Sequence, residues 1–418
     1  MLQVFSSSWA LLLGMMLLMV GNGLQGTLLG VRGGLEGFST FEMSFVMSAY
    51  FAGFLGGSRL APEMIRRVGH VRVFAALASF ISAILILYPA FAHPVAWAIG
   101  RVAIGFCFSG VYVTAESWLN NSADNANRGK ALSVYMIVQM FGIVSAQILL
   151  TLGDASGYAL FIVSSVLVSI SFAPILLSIS PTPAFETAKP MRLKTLIKIS
   201  PLGCFGMFLL GGVFSAQFGM SAVYGVAAGL TITQISFFVS SIYVGALLMQ
   251  YPIGWFSDRV DRRLVILIVA SLGGVMSLVA FSFDQYFSAL LAAAFIIGGT
   301  SNPLYSLLIA YTNDYLEADD MASASGGLIF INGMGAISGP LVTGKMMDTF
   351  GTQAFFMVIA TLMLTLTGYA GYRMTQRSRD GIEDGLYAPV MPSSSPVAVE
   401  VASEYYIETA MDEEENKT

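Results

Sequence analysis

The stretch Gly254-Trp255-Phe256-Ser257-Asp258-Arg259-Val260-Asp261-Arg262-Arg263 separates two long apolar runs, 235–253 and 264–283. Five of its ten residues are charged. So short a connection predicts that the flanking runs form an antiparallel pair of membrane-spanning helices. Residues half a chain upstream match this region at a constant offset of 192 positions: Ser48, Gly53, Arg67, Val68, Ala78 and Ser79 correspond to Ser240, Gly245, Arg259, Val260, Ala270 and Ser271. Such repetition is typical of the two halves of a transporter.

The composition indicates an integral membrane protein. Of the 418 residues, 56% are hydrophobic and 11% are charged, and the mean hydropathy is +0.75. A soluble core cannot hide this much apolar surface. Runs of about 20 residues, the length that a bilayer requires, predict an all-α protein with twelve spans in two pseudo-repeated six-helix bundles. The predicted spans are 9–31, 41–60, 73–91, 95–118, 131–152, 158–178, 201–226, 235–253, 264–283, 286–311, 322–346 and 353–372.

Charge distribution predicts the orientation and the domain limits. All but three of the twenty Lys and Arg residues lie on one side of the twelve-span arrangement, which places that side and both termini in the cytoplasm. We expect an N-terminal bundle over 1–180, a cytoplasmic linker over 181–200 and a C-terminal bundle over 201–373. The remainder, 374–418, is rich in proline, serine and acidic residues. It is predicted to be a disordered, solvated tail, with a short partner-binding helix as the alternative.

Polar side chains inside the first and fourth spans are candidate cavity residues. Asn22 and Gln25 lie at mid-membrane depth, where a polar group must face protein or water; an interhelical hydrogen bond without a ligand is an equal alternative. In the fourth span, Arg101 and Tyr112 share one helical face. Glu116 lies near the inner end of the same span and is the first candidate proton carrier. Alternatively, Glu116 pairs with a basic residue of the following loop.

The pattern Gly-x-x-x-Asp-Arg-x-x-Arg-Arg over 254–263 resembles the signature loop of the major facilitator superfamily. Arg101 followed by Gly105, the run Asn127-Arg128-Gly129-Lys130 and the sequence Gln250-Tyr-Pro-Ile-Gly254 are similar to the YcaD-like branch of that superfamily. The resemblance covers most of the predicted spans. It implies a transporter in the inner membrane of a bacterium and a role for Arg101 in proton coupling or anion recognition.

The resemblance also implies two cytoplasmic gate loops. We define the first gate loop by Arg66, Arg67 and Gly69, and the second by Gly254, Asp258, Arg259, Arg262 and Arg263. The first departs from the superfamily pattern, because Pro62 and Arg66 stand at the Gly and Asp positions. This departure implies a latch carried mainly by Asp258 and Arg259, with Glu63 as a candidate substitute.

The same resemblance extends the predicted cavity into the second half. Gln217 and Tyr224 in the seventh span, and Asn302 and Tyr305 in the tenth, occupy positions that line the cavity of the superfamily. Tyr243 and Asn332 are weaker candidates. For each residue alone, core packing is the competing interpretation.

The leading function is secondary transport of a small organic solute, with protons as the expected coupling ion and the lipid bilayer as the surroundings. The alternative is a non-transporting receptor of the same fold that signals through its tail. No cofactor, metal or nucleic acid is expected, and we predict a monomer. An enzyme is not predicted, because the sequence offers no Ser-His-Asp set and no metal-ligand set. The Gly-x-Gly-x-x-Gly pattern at 21–26 lies within an apolar span and therefore does not indicate nucleotide binding.

Overall fold

The structure, a computed structural model, describes residues 2–122, 128–177, 191–376, 387–395 and 397–399. The first half consists of α1 (Leu2–Leu35), α2 (Thr40–Val68), α3 (His70–Ala90), α4 (Pro94–Ser122), α5 (Arg128–Leu152), α6 (Ala159–Ser171) and α7 (Ala173–Leu177). A short helix, α8 (Leu193–Ile199), precedes the second half. The second half consists of α9 (Pro201–Ser215), a π-helical segment (Ala216–Met220), α10 (Ser221–Ala227), α11 (Ile232–Ser257), α12 (Arg262–Ser282), α13 (Phe287–Asn313), α14 (Ala318–Phe350) and α15 (Ala354–Gln376).

Eleven helical stretches within the described residues are long and apolar enough to cross a membrane. The helix at the second predicted span, α2, is not among them, because glycine, serine and charged residues lower its hydropathy. Its 29 residues nevertheless give a length of about 43 Å, more than a bilayer core requires. The predicted all-α membrane fold is confirmed, with eleven of the twelve predicted spans meeting the criteria of length and composition.

The two halves share local structure at the start of equivalent helices. Ser39 and Glu42 form a capping box at the start of α2, and Thr231 and Gln234 form one at the start of α11, again 192 positions apart. The glycines just before these boxes, Gly37 and Gly229, have φ angles of 78° and 74°. A left-handed glycine is the usual way to end a helix and reverse the chain. The repeat therefore extends to the backbone of the turns.

Close helix crossings form the core of each half. A Cβ added at Gly53 in α2 or at Gly105 in α4 would meet the backbone carbonyl of the other helix, and Gly245 in α11 and Gly298 in α13 meet the same obstacle. Helices can approach this closely only where the side chain is absent. In both halves, therefore, glycine allows the two inner helices to pack closely: α2 against α4, and α11 against α13.

The halves meet along helix pairs that enclose a central space: α2 contacts α14, α5 contacts α11, and α1 contacts α10. The Ser48 hydroxyl of α2 donates to the Ile337 carbonyl of α14 at 2.5 Å. We call the end of the molecule that carries the α2–α3 and α11–α12 connections the basic end; it contains both gate loops. The central space lies between the halves.

The described part of the tail differs from the expectation of a solvated segment. Residues 374–376 complete α15, and Val390, Met391, Ser394 and Ser395 are buried. We call residues 387–395 the tail segment. It has an apolar stretch, Tyr387 to Met391, which the general acidity of 374–418 concealed in the sequence. The remaining tail positions, 377–386, 396 and 400–418, lie outside the described residues, as do the linker positions up to 190.

Candidate solute-binding cavity

A central cavity of about 150 Å³ lies between the two halves. Helices α1, α2, α4 and α5 line it from the first half, and α11, α13, α14 and the α9–α10 region line it from the second. Much of the wall is aromatic, with rings supplied by Tyr50, Phe51, Phe54, Tyr112, Phe214, Phe218 and Tyr243. Ring faces and edges of this kind suit an organic solute that has apolar surface.

Arg101 is the cation of this cavity. Its side chain is buried, with only 4% of the residue exposed. The guanidinium donates from Nη1 to Gln25 Oε1 at 3.1 Å and lies 4.6 Å from the centre of the Tyr50 ring. Its Nε has no hydrogen-bond partner, and no carboxylate pairs with Arg101 among the residues that the structure describes. A buried charge without a counter-ion is costly unless a ligand or water compensates it.

Gln217 is the main polar group on the opposite wall. It lies in the π-helical segment between α9 and α10, an irregularity frequently found at functional sites. Its Oε1 accepts from the Ser301 hydroxyl at 3.1 Å, whereas its Nε2 has no hydrogen-bond partner within the described structure. The buried amide therefore presents an unused donor beside the cavity.

Six of the eight predicted cavity residues line this cavity: Asn22, Gln25, Arg101, Tyr112, Gln217 and Asn302. Tyr224 and Tyr305 do not. Tyr224 stacks on Phe355 with ring centres 4.9 Å apart, and Tyr305 packs edge-on against Phe214 at 6.0 Å. In an ideal α-helix Tyr224 would share a face with Gln217, seven residues before it. The π-helical segment between them takes more residues per turn and so rotates Tyr224 away from the cavity.

Of the residues that line the cavity, Tyr50 and Gln147 were not predicted, and Tyr243 and Asn332 were predicted only as weaker candidates. Tyr50 and Gln147 belong to α2 and α5, and Tyr243 and Asn332 belong to α11 and α14. The one sequence feature that points to a cavity wall in α2 is its aromatic run at Tyr50, Phe51 and Phe54, which has helical spacing. Such a stripe is usually core packing, so the pattern alone does not separate a cavity wall from a core.

Glu116 lies apart from Arg101 and from the central cavity. Fifteen residues along α4 separate the two, an axial distance of about 22 Å. Glu116 is buried; its Oε2 accepts from the Ser395 backbone N–H at 2.8 Å. Its Oε1 has no hydrogen-bond partner within the described residues. The two residues predicted to act in proton coupling therefore occupy different environments.

The charged residues of the two gate loops make different contacts. In the first half, Glu63 pairs with Arg66 and with Arg67, the latter at 2.7 Å, all within α2. The side chains of Arg66 and Arg67 are 69% and 74% exposed. This geometry uses Glu63 locally rather than as a bridge to the other half.

In the second half, two separate ion pairs are buried or partly buried. Arg262 pairs with Asp314 at 2.5 Å, with side chains 1% and 3% exposed, and Arg263 pairs with Asp261 at 2.8 Å. The Arg259 guanidinium lies 4.1 Å from the centre of the Trp255 ring. Asp258 accepts from the Tyr387 backbone N–H at 2.7 Å. Asp258 thus contacts the tail segment and Arg259 contacts its own loop, and the latch expected of these two residues stays a prediction.

Comparison with known proteins agrees with this architecture. The family model described as Major Facilitator Superfamily matches residues 203–384, and the model described as Sugar (and other) transporter matches residues 6–195. The "Uncharacterized MFS-type transporter YcaD" of Escherichia coli O45:K1 (strain S88 / ExPEC) is 27% identical over 375 residues, which cover 87% of this chain and 95% of the relative.

Solved structures share the fold at low identity. The nucleoside transporter NupG has a TM-score of 0.71 at 15% identity, covering 89% of this chain and 99% of that one. A bacterial homologue of the human lysosomal transporter Spinster has a TM-score of 0.69 at 12% identity, covering 97% of this chain and 98% of that one. The protein is a multi-pass membrane transporter and not an enzyme. Along most of its length it is similar to transporters of the major facilitator superfamily, among them the YcaD-like branch.

Proposed function

We propose that the protein is a secondary transporter that moves a small organic anion with apolar or aromatic surface by alternating access. The observation that carries this proposal is the Arg101 guanidinium, which is buried beside the central cavity without a carboxylate partner among the described residues. A carboxylate or phosphate on the solute would supply the missing charge and two acceptor atoms. The surrounding rings would bury the rest of the molecule.

The cavity favours an anion over a sugar because its polar groups are few and separated. Gln25 already accepts from Arg101, and the free amide donor of Gln217 is on the opposite wall. A polyhydroxylated solute would need a donor or an acceptor for each hydroxyl, since an unpaired buried polar group costs about 1–3 kcal/mol. A solute with one anionic end and one acceptor at the far end satisfies these groups with fewer contacts.

Proton coupling and sidedness are part of the same proposal. Glu116 is a buried carboxylate at the basic end, where a proton could bind or leave as the halves rearrange. The concentration of Lys and Arg at that end supports its placement in the cytoplasm. Coupling between Glu116 and Arg101 would then act through movement of the two halves, because about 22 Å of α4 separates them.

Uptake into proteoliposomes tests the solute class. Purified protein would first be screened by thermal shift against aromatic carboxylates, organic phosphates and sugars at an acidic and a neutral pH, since a ligand that prefers the folded state raises the melting temperature. Counterflow of the strongest hit is then measured for the wild type, Arg101→Gln and Arg101→Lys. We expect Arg101→Gln to lose anion binding and Arg101→Lys to retain part of it.

Arg72→Gln, at an exposed position near the start of α3, is the control for the replacement of an arginine by glutamine. Binding of anions by Arg101→Gln at the wild-type affinity would refute the assignment of Arg101. Coupling is tested separately with Glu116→Gln: uptake that depends on a pH gradient in the wild type should lose that dependence, whereas exchange without a gradient should persist. Equal gradient dependence in both proteins would remove Glu116 as the proton carrier.

The second candidate function is a receptor that signals through its tail. The buried position of the tail segment between the two halves supports this alternative. Its Ser395 and Tyr387 backbone groups contact Glu116 in one half and Asp258 in the other. In a receptor, the solute would change the exposure of the tail without crossing the membrane. Solute counterflow in the liposome assay would argue against this alternative, because a receptor does not exchange solute.

A further inference from the structure

The tail segment, residues 387–395, connects the two halves at the basic end. Toward the second half, Tyr387 N–H donates to Asp258 Oδ1 at 2.7 Å, and Val390 N–H donates to Ser306 Oγ at 2.9 Å. Toward the first half, Ser395 N–H donates to Glu116 Oε2 at 2.8 Å. Three backbone donors of one short segment are thus satisfied by side chains on three separate elements.

The apolar contacts of the tail segment also reach both halves. The Met391 side chain packs in a small buried cluster with Met136 and Met140 of α5 and Ala246 of α11. Helices α5 and α11 belong to different halves and contact each other directly. Met391 is 4% exposed, which places it inside this junction.

Residues of α11 help to accommodate the tail segment. Gln250 of α11 donates to Ser306 Oγ at 3.2 Å, the same oxygen that accepts from Val390 N–H. A Cβ on Gly254 would lie 2.5 Å from Tyr387 Cδ1. Two residues of the Gln250–Gly254 run therefore support the segment, one by orienting its acceptor and the other by leaving space for a ring.

The segment itself is suited to an extended, buried course. Pro389 and Pro392 have no N–H group that must be satisfied, and they restrict the free backbone, which lowers the entropy lost on seating. Pro392 and Ser393 reach the lining of the central cavity. Between them and the chain end, Ser394 N–H donates to the Met391 carbonyl at 2.9 Å, which closes a turn.

We propose that the tail segment is an intramolecular inhibitor that occupies the junction between the halves at the basic end and holds that end open. Alternating access requires the halves to close together at one end while they separate at the other. Closure at the basic end needs the space that Met391, Val390 and Ser395 fill. It also needs Glu116 to leave its contact with the tail. The segment must therefore withdraw before the protein can complete a transport cycle.

Cysteine reactivity tests whether the segment is seated in solution. In full-length protein with Cys107 and Cys204 replaced by serine, a single cysteine is introduced as Met391→Cys or as Gln376→Cys and treated with a maleimide. Gln376 is exposed at the end of α15. We expect Met391→Cys to react about tenfold more slowly, because it reacts only when the segment opens. Equal rates would overturn the proposal.

Distance measurement tests whether release of the segment allows closure. Spin labels are attached at Val68→Cys and Val260→Cys, exposed positions beside the two gate loops and 192 residues apart. Met391→Glu places a carboxylate in the apolar cluster and should eject the segment. Gln376→Glu adds the same charge at an exposed site and is the matched control. Pulsed electron resonance should show one long distance in the wild type and in the control, and an added shorter distance in Met391→Glu.

A second variant separates release from misfolding. Val390→Pro removes the N–H that donates to Ser306 without adding charge, and it should give the same shorter distance as Met391→Glu. An unchanged distance distribution in either well-behaved variant would refute the inhibitory role. Aggregation of both variants would also refute it, since the segment would then be a structural part of the fold. These measurements need no solute, so their outcome is independent of the proposed transport activity.

Discussion

The two gate loops carry similar charges and use them in opposite ways. In the first half, Glu63 pairs with Arg66 and Arg67 along one exposed face of α2. In the second half, Arg262 is buried against Asp314 at the end of α13, and Asp258 accepts a hydrogen bond from the tail segment. An exposed pair within one helix contributes little, whereas a buried pair between elements constrains structure. Equivalent positions in the two halves can therefore contribute differently to the stability of the fold.

The largest expected effect is the removal of Arg262. Arg262→Ala removes the guanidinium that pairs with the buried Asp314 carboxylate, and breaking such a pair typically costs about 3–5 kcal/mol. Arg67→Ala, at an exposed position of the first gate loop, is the control and should stay within about 0.5 kcal/mol. Thermal unfolding of the detergent-solubilised proteins measures both. Similar midpoints for the two variants would show that the loops do not differ as their burial indicates.

Substitution of the glycines at the close helix contacts tests whether the two halves are alike. Gly53→Ala and Gly245→Ala each place a Cβ against the backbone of a neighbouring helix, so each should destabilise by about 1–3 kcal/mol. Gly26→Ala is a suitable control, because nothing lies within 4 Å of its added Cβ. The same unfolding assay applies. A large effect in one half with none in the other would break the symmetry inferred for the inner helix pairs.

A smaller, local effect is expected at Gly254. In Gly254→Ala the added methyl meets the Tyr387 ring, so the tail segment should open more often while the bundle stays folded. Maleimide labelling of Met391→Cys should accelerate about tenfold, equivalent to a loss of about 1.4 kcal/mol in seating. Gly368→Ala, at a helix position with free space around its Cβ, should leave the rate unchanged. An unaltered rate in Gly254→Ala would show that Tyr387 is not held against this loop.

The smallest effect is expected for Glu63→Gln. Both partners of Glu63 are largely exposed, and such pairs are worth about 0.2–1 kcal/mol. The unfolding midpoint should fall only slightly, and high salt should reduce the difference further. A loss as large as that of Arg262→Ala would mean that Glu63 has a partner in the other half, as the latch hypothesis supposed.

Much of the fold could be predicted because the bilayer restricts the solutions. Apolar runs of fixed length must be helices, and the offset of 192 positions between Gly53 and Gly245 revealed the repeat. Asn22, Gln25 and Arg101 lie beside one cavity, as the cost of polar groups at depth predicted. Tyr112 was predicted from the helical face that it shares with Arg101, and Gln217 and Asn302 were predicted from the family resemblance. These are properties of single spans and of their order in the chain.

Other features depended on contacts that no single span contains. The π-helical segment turned Tyr224 toward Phe355 instead of the cavity, and the choice of partner for Arg262 depended on where α13 ends. The tail segment is the clearest case. Its proline and serine content resembles a solvated linker, and its burial became possible only because Glu116, Ser306 and Asp258 provide acceptors at the junction. The membrane-spanning segments could be predicted from the order of residues alone, because spanning a bilayer depends on local hydropathy. What fills the space between the halves could be seen only in the folded protein, because it depends on groups brought together from distant parts of the chain.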